Sequence, residues 1–172
     1  MNGRQIGGLI GAGGGLVFVL ANAGELPGAT ALRVVGVACF VVLVAWLVVR
    51  TPAAPPTPTP AALRIYWTCV LGELVAIPAG AAVLRQLGHA ELVPAWVVLV
   101  VGTHFVPFAQ AFRLPLFARL GLVLIAIALA GMASSLAGVD DAVPLAAVAA
   151  GFVLFAAVAV GSLQREATAV VS

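Results

Sequence analysis

The chain has 172 residues, 63% of them hydrophobic and only 8% charged, with a net charge of +2 and a mean hydropathy of +1.21. Soluble domains carry roughly 25% charged residues, so a water-soluble globule is excluded. The small, scattered positive charge also excludes a nucleic-acid surface, which needs clustered basic side chains.

Since a spanning helix takes about 20 predominantly apolar residues, the chain has room for six spans and short loops and none for a separate soluble domain. The predicted fold is all-α: one polytopic membrane domain, residues 1–172, built as a bundle of six transmembrane helices. All eight basic residues are arginine, and Ala, Val, Leu and Gly dominate. That composition reads as a bacterial protein from a GC-rich genome, which places it in the inner membrane.

The first span, about Ile6 to Ala23, carries Gly3, Gly7, Gly11 and Gly15 at a spacing of four. Ridges of small residues let helix backbones approach closely in lipid. A tight helix contact is expected here, within the chain or with a second copy. Arg4, the apolar run and Ala21-Asn22-Ala23 also have the layout of a signal peptide, although one basic residue and a glycine-rich core favour retention.

A loop through Glu25 and Pro27 leads to the second span, about Ala31 to Val49, with Cys39 inside and Trp46 near its end as an interfacial anchor. Residues 51–60 contain five prolines in ten, so they are predicted to be a cytoplasmic, polyproline-like linker. The third span, about Leu63 to Leu84, opens with Arg64, Tyr66 and Trp67 and carries Cys69 and Glu73. The two cysteines fall at depths differing by about 9 Å of helix rise, too far for a disulfide. The fourth span, about Leu92 to Phe112, has Pro94 in its first turn and His104 near its middle. The fifth runs from about Leu116 to Ala137. The sixth follows Asp140-Asp141, which suit a helix start, and reaches about Leu163.

With the N-terminus cytoplasmic, Arg4, Arg50, Arg64, Arg113, Arg119 and Arg165 lie at cytoplasmic ends, against Arg33 and Arg85 outside. This arrangement obeys the positive-inside rule and puts the C-terminus in the cytoplasm as well.

Glu73 lies nine residues from Arg64, and His104 lies nine from Arg113. At about 1.5 Å per residue both sit roughly 13 Å in, near the middle of a ~30 Å hydrocarbon core. An ionisable group at that depth is costly unless paired, hydrated or neutralised, so each is the other's natural partner. Pro78 and Pro107 free the carbonyls of Leu74 and Thr103, which marks both as helix-kink positions beside the pair. Helical spacing adds Tyr66 and Ile77 on the Glu73 stripe, and Thr103 and Gln110 beside His104. The candidate ligand- or proton-binding residues are therefore Glu73, His104, Thr103, Gln110 and Tyr66. His89, beside Glu91 in a short outer loop, reads as solvated. There is no cofactor motif and no Cys/His cluster at ligand spacing, so neither cofactor nor metal is expected.

The string from Gly102 to Arg113, with Gly102, His104, Phe105, Pro107, Ala109 and Phe112 in place, resembles a Gly-x-His-Phe-x-Pro-x-Ala-x-x-Phe pattern of small, uncharacterised multi-pass membrane proteins of bacteria. The resemblance implies that His104 and Pro107 act as a unit. It implies no activity.

Three functions fit these residues. The first is proton-linked transport or binding of a small solute by Glu73 and His104. The second is an intramembrane enzyme acting on a lipidic or isoprenoid substrate, with Glu73 as acid or base and His104 as its partner. In the third, the chain is a structural or assembly subunit, and the glycine ridge of the first span is its working surface.

Overall fold

The computed structural model describes residues 3–49 and 59–170, with side chains for 5–49 and 59–163. Arg50, linker residues 51–58, the surroundings of Gly3 and the side chains of Arg4 and Arg165 lie outside what is described. Those that are described form six helices: α1 (Gly3–Asn22), α2 (Ala29–Val49), α3 (Pro60–Gln86), α4 (Val93–Ala111), α5 (Pro115–Leu136) and α6 (Ala142–Val170). Each is long and apolar enough to cross a membrane. The expected linker ends earlier than its composition implies, because Pro60 already occupies the first turn of α3. Thr59 caps that helix, its hydroxyl accepting from the Ala62 N–H at 3.2 Å. Proline suits this position, where its missing N–H would have no partner in any case.

The helices group into two compact units, Met1–Pro56 with Gly151–Ser172, and Thr57–Ala150. In the first unit, α1 and the second half of α6 cross at two glycines. A Cβ on Gly15 would lie 2.8 Å from the Gly151 carbonyl oxygen, and one on Gly151 would lie 2.7 Å from that of Gly15. Gly11 faces Val158 at 3.0 Å, whereas Gly7 has nothing within 4 Å. A spacing of four advances about 40° past a full turn at each step, so a straight ridge drifts off any single neighbour. The α1–α2 contact sets Gly8 against Leu47 and Gly36 against Val19. The buried Gln5 amide donates to the Leu47 carbonyl at 3.1 Å.

In the second unit, α3, α4 and α5 run antiparallel through tight turns. Each turn places one residue in the left-handed region, and the following N–H reaches back five residues: His89 to Leu84, Leu114 to Ala109 and Val139 to Ser134. This is the usual way for a helix to satisfy its last carbonyls. Gly88 and Gly138 supply the positive φ at two turns. The third is Arg113, at φ 52°, where a side chain costs about 1 kcal/mol. The α4–α5 crossing again joins two glycines: a Cβ on Gly121 would sit 2.7 Å from the Gly102 carbonyl oxygen. Against α6, Gly131 meets the Ala146 Cβ at 2.6 Å in the same sense. Leu92, Ala95 and Val143, with Leu84 and Met132 beside them, form a small core near the other end of this unit.

Candidate functional site

One face of α3 carries Tyr66, Glu73 and Gly80 at intervals of seven, two helical turns each. All three meet α4, and in antiparallel order. Tyr66 stacks on Phe108 with ring centroids 5.6 Å apart, Glu73 meets His104, and Gly80 lies under Trp96, whose ring occupies the space a Cβ would need. The Trp96 indole N–H donates to the Ala76 carbonyl at 3.0 Å, in the turn that Pro78 loosens. Both Pro78 and Pro107 lie inside continuous helices.

The direction of His104 follows from Gly102. A Cβ on Gly102 would lie 3.0 Å from the Ile125 backbone nitrogen, so this side of α4 faces α5. Two residues further on is about 200° around the helix, which turns His104 toward α3. Glu73 waits there, midway between Pro60 and Gln86.

Glu73 Oε2 and His104 Nδ1 are 3.2 Å apart, with 25% and 16% of their side-chain surfaces exposed. Nδ1 is itself buried and makes no hydrogen bond. The approach is thus within ion-pair range but off the line along which a ring N–H donates. Holding one proton, such a pair can exist as carboxylate and imidazolium or as carboxylic acid and imidazole; adding a proton gives acid and imidazolium, and removing one gives carboxylate and imidazole. Chemically it can hold a proton and pass it on.

Aromatic rings surround it. His104 lies 4.3 Å from Phe105 and 5.0 Å from Phe108 between centroids. Phe105 continues to Phe117 of α5, and Phe108 to Phe112. On the α3 side, the Tyr66 ring meets Trp67 edge-on at 5.3 Å. The other residues expected beside the pair have different roles. The Thr103 hydroxyl donates to its own helix, to the Val100 carbonyl at 2.8 Å, and the residue is exposed. Gln110 is exposed one residue before the end of α4. The structure therefore brings Glu73 and His104 together and joins Tyr66 to them only through Phe108, with Phe105 and Phe108 in the places where polar groups were expected.

His89 and Glu91 pair at 3.0 Å on the exposed turn between α3 and α4. Cys39 and Cys69 are free thiols. In the first unit, a cleft of about 90 Å³ is lined by Gln5, Leu9, Leu47 and Val48. Gln5 is its one polar side chain, with the amide already engaged to Leu47.

Phe105, Phe108 and Phe112, spaced three and four apart, were legible as a helical stripe. The Trp96 seat had no such local signal, since it depends on which residue of α3 lies opposite. No family model, curated protein or solved structure matches this chain, so its function has to be read from its own residues.

Proposed function

We propose that the chain is a multi-pass protein of the bacterial cytoplasmic membrane, with both termini inside, in which Glu73 and His104 bind and release a proton linked to transport or binding of a small solute. The observation carrying this reading is the 3.2 Å approach of two ionisable groups that make no hydrogen bond to each other, midway along apolar helices. A pair serving only to fix helix register would gain most from a well-aligned hydrogen bond. Side chains such as Val34, Leu74, Val75 and Leu122, each more than 60% exposed, suit hydrocarbon as their solvent. In the second unit, Arg64, Arg113 and Arg119 share one end, while Arg85, Glu91, Asp140 and Asp141 share the other. That asymmetry supports the proposed orientation.

One observation favours an alternative, an intramembrane enzyme on a lipidic or isoprenoid substrate with Glu73 as acid or base: the pair is walled by rings rather than by polar groups.

The proton reading is tested by stepping the purified protein in detergent from mildly alkaline to mildly acidic pH and counting protons with an indicator dye. Wild type is expected to take up about one proton more than the Glu73→Gln/His104→Gln double variant. Equal uptake would remove the proton site.

A further inference from the structure

We propose that the solute is an organic cation with an apolar body, which competes with the proton for the Glu73 carboxylate; this rests on the proton reading above. The argument is one of chemical inventory. Between Arg64 and Arg85, α3 carries Tyr66, Cys69 and Glu73 as its ionisable groups, and between Glu91 and Arg113 α4 carries His104. From Leu120 to Val139, α5 has none, and neither has α6 from Ala142 to Ala150. Arg119 of α5 lies near this level, since Gly121 and Phe117 meet Phe105. It stands about 200° around the helix from Gly121, the residue that faces α4, and is exposed. An anion entering from the bilayer therefore finds no arginine or lysine on the α3 and α4 sides of the pair. A polyhydroxylated solute finds few free hydrogen-bonding groups, because the Thr103 hydroxyl is held by the Val100 carbonyl and Gln110 lies near the helix end.

What the site does offer is one carboxylate with a quarter of its surface exposed, and a run of rings leading to it. Trp67, 57% exposed, touches Tyr66. Tyr66 stacks on Phe108, and Phe108 meets His104. Aromatic faces attract cations through their quadrupoles, most strongly away from water. A carboxylate beside them gives that attraction a counter-ion, and an apolar body lets the ligand reach mid-helix depth from the lipid. When the cation binds, the proton shared by Glu73 and His104 leaves to solvent, so one positive charge replaces another.

The probe is tetraphenylphosphonium, titrated calorimetrically into the full chain in lipid nanodiscs, in buffers of different ionisation enthalpy. Saturable binding is expected, with about one proton released per cation and affinity falling as the pH is lowered. Glu73→Gln should weaken binding about a hundredfold. Phe108→Leu should weaken it up to roughly tenfold. Proton uptake is measured on the same samples. If wild type takes up its proton but does not bind the probe, or if Glu73→Gln binds it as well as wild type does, the cation proposal is overturned while the proton site stands. If proton uptake is itself missing, both fall.

Discussion

Gly121→Ala is expected to destabilise the purified protein by about 3 kcal/mol, at the upper end of what overpacking costs. The added methyl would lie 2.7 Å from the Gly102 carbonyl oxygen, 3.2 Å from the Phe105 Cβ and 3.3 Å from the Val106 Cγ2. The nearest of these is backbone, so no rotamer change relieves it and α4 has to move off α5. At about 2–4 °C per kcal/mol for a chain of this size, the melting temperature should fall by roughly 6–12 °C. Gly72→Ala is the control. That position is exposed, with nothing within 4 Å of a Cβ, and alanine is the better helix former by about 1 kcal/mol. Intrinsic tryptophan fluorescence during heating in detergent reads both variants. Equal melting temperatures for the two would mean that α4 and α5 do not cross at these glycines.

The second large effect concerns the pair. His104→Ala removes a ring packed on Phe105 and Phe108 and leaves Glu73 without its partner. Breaking a fully buried pair costs about 3–5 kcal/mol, so about 2–3 is expected where a quarter of the carboxyl side chain remains exposed. Glu73→Gln keeps the size of the side chain and removes the charge. Adding it to His104→Ala should therefore recover about 1–2 kcal/mol, because an amide is less costly than a stranded carboxylate. Denaturant midpoints of wild type, both single variants and the double variant give this coupling. Simple additivity would mean that the two groups do not interact.

The six helices were legible because hydrocarbon-length apolar runs, broken by proline, glycine and arginine, leave few alternatives. The matched depth of Glu73 and His104 was legible for a related reason: two arginines, each nine residues away, act as rulers on antiparallel helices. The character of the surroundings was harder to read. Thr103 was expected to present its hydroxyl to the site, yet a threonine in a helix can bond its own preceding turn, as it does here with Val100. Gln110 shares a stripe with Thr103 but lies too near the helix end. The glycine ridge of α1 illustrates a further limit. Gly11 and Gly15 pack against α6 while Gly7 stays open, because equal spacing in sequence is not an equal direction in space. Gly80 under Trp96 depends on the register between two helices, which neither helix encodes alone.

The most direct test of the proton site is ring ¹⁵N NMR of the histidines across a pH titration in detergent micelles. The chain has two histidines, and His89→Gln leaves the His104 signals alone. Two groups coupled at 3.2 Å titrate as a pair, so the His104 nitrogens should follow a two-step curve that collapses to one step in the Glu73→Gln variant. A single-step curve, identical with and without the Glu73 carboxyl, would contradict the proposal that these residues share a proton.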